Sequence, residues 1–350
     1  MQSILVEKLT RGVDNSMVRI SFITLPVLLT LVLIGASKTS AQTEVLNLGG
    51  VIISVSDSRT AQVFHIVDQM SQWDSGVHHG YVRWANRTLH LSQEDQELLR
   101  KHAELRRPRG WGNGFEQAFY VDDSIALAAQ RAIENKLLSA DEATAEKMIL
   151  LHFEPILSPL LNRSAQQMTA FRARLSAESR RIAPVIKQLV RFSETKGTVR
   201  VPLFLVANPE EGSGGGGFNG GRLVVEIQKQ PDPLPILVHE CLHALLWQHK
   251  EAIKVAAESI GLSWVNLNEG IAHAFAPGLT DDLRESDSLA ERLTKNFQRG
   301  TTASEGYAQS KQYMVALIIR PILRSALNHR ETFSSFLPKA VSKLSEFNWH

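Results

Sequence analysis

Two histidines four residues apart, with a glutamate beside the first, stand inside an apolar stretch: His239-Glu240-Cys241-Leu242-His243. Asp232-Pro233 just upstream reads as a helix start, with Asp as the cap and proline in the first turn. The apolar spacing predicts a helix from Leu234 to about His249. Residues four apart share one helix face, so His239 and His243 aim both imidazoles at one metal ion. Glu240 sits beside them at the rim, within reach of a water. Cys241, Leu242, Leu245 and Leu246 fall toward the core side. Chance expects about 0.03 copies of this pattern in a chain of this composition. Two incidental histidines would predict no further ligand downstream, yet the segment from Trp264 to Phe275 brings Asn268-Glu269-Gly270. It reads as a second helix that begins near Asn266 or Asn268, with Glu269 in its first turn as third ligand.

Composition narrows what surrounds this helix. The chain has 350 residues, 43% hydrophobic and 21% charged, which excludes a disordered chain and a polytopic membrane protein. A net charge of +2 gives no electrostatic footprint for nucleic acid. The single cysteine, Cys241, excludes intramolecular disulfides, zinc fingers and iron–sulfur cages.

The N-terminus reads as a targeting segment. Arg19 precedes an apolar run of about 17 residues, Ile20 to Ala36, and small residues follow, Ser37, Thr39, Ser40 and Ala41. A basic start, an apolar middle and a small-residue exit make a secretory signal, with cleavage expected near Ala41. The competing reading is a retained anchor, for which the run stands at the short limit of a bilayer span. The expectation is a secreted or periplasmic protein with no stable membrane insertion after the signal is removed.

Residues 42–195 read as mostly helical, with segments at 58–72, 93–107, 123–138, 140–153 and 165–192. Ser92 with Asp95, and Ser139 with Glu142, have capping-box spacing. Pro184 is expected to kink the longest segment. The cluster Trp73, His78, His79, Tyr81 and Trp84 reads as a packed helix–loop corner. From about 196 the character changes, and 199–206 and 222–228 read as strands. The glycine-rich run 211–221 between them ends in no Gly-Lys-Ser/Thr, so it is no phosphate loop. It reads as a flap over a cleft or a plain hairpin loop.

His239-Glu240-Cys241-Leu242-His243 followed by Asn268-Glu269-Gly270-Ile271-Ala272 resembles the gluzincin branch of zinc metallopeptidases. Trp264 and Asn268 to Ala272 are similar to the third-ligand segment of aminopeptidase-N-like enzymes. The resemblance covers about 200–320. It implies an α+β, helix-rich fold, with a zincin-like catalytic unit over 196–350 after the helical region 42–195: a small sheet, the active-site helix and a helical C-terminal half. It implies zinc on His239, His243 and Glu269, and hydrolysis of protein or peptide substrates. Three protein ligands leave one zinc position open for water, from which Glu240 takes a proton as general base. It also implies a Tyr or His that stabilises the oxyanion: Tyr307, His273 one turn after Glu269, or Tyr313, which leads into an apolar run and reads more as core. The corresponding glycine-rich stretch, Gly217 to Gly221, lacks the Glu that holds a substrate amino terminus in those aminopeptidases, so endopeptidase activity is at least as expected. Strand 222–228 is the expected cleft edge, to which a substrate adds by backbone hydrogen bonds.

Two alternatives stand beside this. His249, six residues after His243, has the third-ligand spacing of metzincins, but Leu246 occupies the place of their helix-breaking glycine. A zincin-like domain can also serve as an inactive binding module.

Overall fold

The computed structural model describes residues 44–210, 215–228, 233–276, 304–347 and 349, with backbone alone for 304–310. The expected signal segment and the Asp232 cap lie outside the described residues. Strands β1 (Glu44–Leu48) and β2 (Val51–Ser56) form a hairpin. Its two turn residues, Gly49 and Gly50, both have positive φ, 65° and 115°, which glycine adopts without steric strain. Helices α1 (Arg59–Met70), α2 (Gly80–Thr88), α3 (Gln93–Arg106), α4 (Gly114–Phe119), α5 (Ile125–Glu134) and α6 (Ala140–Phe192) follow. Both expected capping boxes are formed, Ser92 with Asp95 on α3 and Ser139 with Glu142 on α6.

The expected pair of helices at 140–153 and 165–192 is one helix of 53 residues, running through Pro155, Pro159 and Pro184. An internal proline removes a helix hydrogen bond and costs about 3 kcal/mol. Packing outweighs it here, because the buried face runs unbroken past the first two prolines: Leu150, Phe153, Leu157, Leu161, Ser164, Met168 and Phe171 keep the three- and four-residue spacing.

Beyond α6 come β3 (Val199–Ala207), β4 (Gly216–Asn219) and β5 (Arg222–Ile227). The five strands make one mixed sheet in the order β1-β2-β3-β5-β4. β2, β3 and β5 run parallel, with Ile53 opposite Val201 and Leu205 opposite Val225, while β4 returns antiparallel, with Phe218 opposite Leu223. The hairpin β1–β2, which falls in the region expected to be helical, thus shares a sheet with the strands after 196. Residues Ala41–His350 form one compact unit, and the change near 196 is one of helix to strand within it.

The C-terminal half is helical: α7 (Pro233–Leu246), a 3-10 turn (Trp247–His249), α8 (Lys250–Glu258), α9 (Trp264–Phe275), α10 (Ser304–Asn328) and α11 (Phe333–Leu344). Successive residues of β5 point to opposite faces. Glu226 meets His65 of α1 at 3.2 Å, while Gly216, paired with Val225, abuts Ile236 of α7. The protein is therefore α+β and helix-rich, with α1 and α7 on opposite faces of a small sheet. Among the described residues, no helix is long and apolar enough to cross a membrane.

Candidate metal centre

α7 packs against β4 and β5 with Leu237 and Cys241 wholly buried, and Glu240 and His243 line a cleft beside the buried His239. α9 packs against α7 with Ser263 as its cap, the Ser263 hydroxyl accepting from the Asn266 N–H. The helix thus starts at Trp264, two to four residues before the expected place, and Glu269 stands in its second turn. Gly270 lets α9 approach α10 closely: an added Cβ would overlap Val315 Cγ1 and lie 2.6 Å from Val315 Cβ. Gly270→Ala is expected to destabilise the fold by about 1–3 kcal/mol, as overpacked cores do. Urea unfolding checks this, and an unchanged midpoint would contradict it.

The two helices bring the three expected ligands together. His239 Nε2 lies 3.0 Å from His243 Nε2 and 3.3 Å from Glu269 Oε2, and His243 Nε2 lies 3.4 Å from Glu269 Oε1. Ligands on a tetrahedral ion with bonds of about 2.0–2.1 Å stand about 3.3 Å apart, so this spacing fits one small divalent ion. The outer nitrogens fix the rings. His239 Nδ1 donates to the Ala276 carbonyl at 3.1 Å, which leaves Nε2 with its lone pair facing the others. The Asn268 amide stands 3.0 Å from His243 Nδ1. The Asn268 atom at that contact is Nδ2; with the side-chain amide rotated by 180° its oxygen would accept the Nδ1 proton and free His243 Nε2 in the same way.

His239, Glu269 and His273 also form a set that can hold a metal ion, their donor atoms lying within 4.8 Å of one another. The tighter spacing of His243 makes it the better third member, and His273 stands behind the set. Burial, helped by His239, holds His273 far down, at about 3, so it is neutral. Its ring packs against Tyr313, with centroids 4.8 Å apart. Tyr313 is 36% exposed and belongs to this corner of the site, not to the core as its apolar neighbours suggest. Tyr307 lies on α10, its side chain outside the described residues.

His249 is turned away. Its Nε2 donates to the Ser193 carbonyl at 2.8 Å, and its ring packs on Phe333. Helix geometry carries it off the face that holds His243, so the metzincin arrangement is not formed.

Glu240 lines the cleft with His243 and Glu269. Burial pushes its carboxyl above the usual carboxylate range, against the pull of His239 and His243. A Cβ added at Gly216 would lie 3.1 Å from Glu240 Oε1, so the glycine allows β4 to pass against this carboxylate. The described part of the glycine-rich run is therefore an edge strand, and the cleft edge is β4, with β5 one strand further in.

The cleft holds about 390 Å³. One wall comes from the helical part of the chain, with Gly76, Trp111 and Gly112. The nearby corner is packed as expected: His78 Nδ1 meets Glu226 at 2.8 Å, and the Tyr81 hydroxyl donates to the Ala207 carbonyl at 2.9 Å. Trp111 and Lys250 escape the sequence reading, which has Asn268 as a helix start and assigns no packing role to Gly270. The signal for Asn268 as a partner of His243 is its place one residue before the candidate ligand Glu269.

Comparison with protein-family models, with curated proteins and with solved structures gives no match for the chain.

Proposed function

We propose that the chain is a zinc-dependent peptidase with a zincin-like catalytic unit, acting on proteins or peptides outside the cytoplasm. The observation that carries this is the set of three donors 3.0–3.4 Å apart, with a buried glutamate beside it that is not one of the three. His239, His243 and Glu269 would hold the ion. Zinc bound there supplies Lewis acidity toward a carbonyl and acidifies a water.

The chain's own groups do the rest. β4 ends the sheet, and its outer edge offers backbone N–H and C=O groups to an extended substrate strand. Glu240 takes a proton from the attacking water and passes it to the leaving amine nitrogen. His273 or Tyr313, whose rings pack together beside His239, would supply the hydrogen bond to the developing oxyanion. Tyr313→Phe or His273→Ala is expected to lower kcat by about 10²–10³ with zinc retained. Unchanged kcat in both, with collapse in Tyr307→Phe, would assign the donor to Tyr307.

The whole reading is tested with unfolded casein. The zinc-loaded chain is expected to cleave it, and a chelator to stop the cleavage. A folded, zinc-loaded chain that leaves casein and a peptide library intact would make this a binding module.

A further inference from the structure

Three of the six tryptophans, Trp111, Trp247 and Trp264, line the cleft. Two of them are large exposed surfaces at its mouth, Trp247 at 51% and Trp111 at 42%. Between two of these rings stands Lys250. Its Nζ lies 4.6 Å from the Trp247 ring centre and 5.5 Å from that of Trp264. Among the described residues, Lys250 is the one Lys or Arg that lines the cleft, and it makes no ion pair.

Helix electrostatics do not account for it. Lys250 opens α8, the end at which a cation meets the positive pole of the helix dipole. Aromatic faces hold an ammonium and strip part of its water without neutralising it. Such a cation gives a carboxylate a stronger, charge-assisted hydrogen bond than a solvated surface lysine would. Lys250 thus marks a place along the cleft where a negative group can rest. Lys250 opens α8 just past the 3-10 turn that follows α7, and it lines the same cleft as Glu240, His243 and Glu269.

We propose that Lys250, framed by Trp247 and Trp264, binds a carboxylate of the substrate peptide at a fixed place in the cleft beside the scissile bond. The carboxylate is either the C-terminal group or an Asp or Glu side chain. This rests on the peptidase reading and names the substrate class of the same cleft.

The test uses the zinc-loaded full chain and two peptide libraries, one with free C-terminal carboxylates and one amidated, read by mass spectrometry. Cleaved bonds are expected to lie a fixed short distance from a carboxylate. Enrichment that vanishes on amidation assigns the terminal group, and enrichment that survives it assigns Asp or Glu side chains. Lys250→Met keeps the aliphatic stem and is expected to raise KM for the best peptide about tenfold or more with kcat unchanged. Lys250→Glu is expected to shift the enrichment to Lys and Arg. Cleavage with no carboxylate preference, or the same preference in Lys250→Met, would overturn the proposal.

If the folded chain cleaves nothing, the peptidase reading fails separately. Lys250 is then read by tryptophan fluorescence, with an acetylated alanine tetrapeptide as free acid, as amide, and as amide carrying one Asp. Tighter binding of either acid than of the plain amide, lost in Lys250→Met, supports the carboxylate site, and equal binding of all three overturns it.

Discussion

Glu240→Gln is expected to reduce peptide hydrolysis by about 10²–10⁴-fold, the range for loss of a general base, while zinc stays bound. The two effects separate because of where α7 puts the side chain. His239 and His243 project toward Glu269 of α9. Glu240, next along the helix, lies against Gly216 of the edge strand. Glutamine keeps the shape and the burial but cannot accept the proton. Turnover on casein and zinc content are measured on the same preparation, with circular dichroism to check the fold. Zinc lost together with activity, in a folded variant, would make Glu240 a ligand and end the general-base assignment.

The second large effect lies outside the candidate metal site. Arg106 is wholly buried and pairs with Asp68 at 2.6 Å and Glu116 at 2.7 Å. His102, also wholly buried, lies 3.0 Å from both Asp68 and Glu146. Replacing Arg106 with methionine leaves Asp68 and Glu116 without their cation, and removal of one partner of a buried ion pair costs about 3–5 kcal/mol. The loss should reach the cleft, because the Arg106 guanidinium lies 4.2 Å from the Trp73 ring centre and Trp73 packs on Trp111 of the cleft wall.

The same cluster sets a pH dependence. Burial alone would push the His102 imidazolium down, but the Glu146 and Asp68 carboxylates outweigh it and raise His102 to about 9 from 6.5. A raised folded value means that its stabilisation is full below about pH 6.5 and is lost as the pH rises through about 9. Asp68 moves the other way. Burial opposes ionisation, but Arg106 and His102 hold it below its ordinary value, so its contribution is present above about pH 4 and is lost in acid. Urea unfolding at pH 6 and pH 9.5 is expected to give lower stability at the higher pH. His102→Gln is expected to flatten the difference, and an unchanged difference would assign it to other groups.

Much of the candidate metal site is legible in the sequence because it depends on short-range geometry. The four-residue spacing of His239 and His243 needs only a helix, and apolar residues with Pro233 at its head specify one. Glu269 is legible as a helical carboxylate at a sensible distance, although the start of its helix is Ser263. The serine carries the cap, and the asparagines at 266 and 268 serve instead inside the helix. What the sequence hides is set by packing between distant segments. Pro155 and Pro159 break a helix on local rules, and only the continuous buried face of α6 overrides them. The hairpin β1–β2 is short, and its second strand is stabilised by parallel pairing with β3, far away in the chain. Tyr313 borders an apolar run and so resembles core, but the turn of α10 brings it to His273. Trp111 and Lys250 reach the cleft from segments far apart in the chain, and no spacing rule joins them.

The most direct test of the account is zinc content, by elemental analysis, of the wild-type chain, Glu269→Ala and His249→Ala purified alike. The account predicts about one zinc per chain in the wild type and in His249→Ala, and a large loss in Glu269→Ala with the fold intact. Zinc retained by Glu269→Ala and lost by His249→Ala, or no zinc bound by the folded wild type, would contradict it.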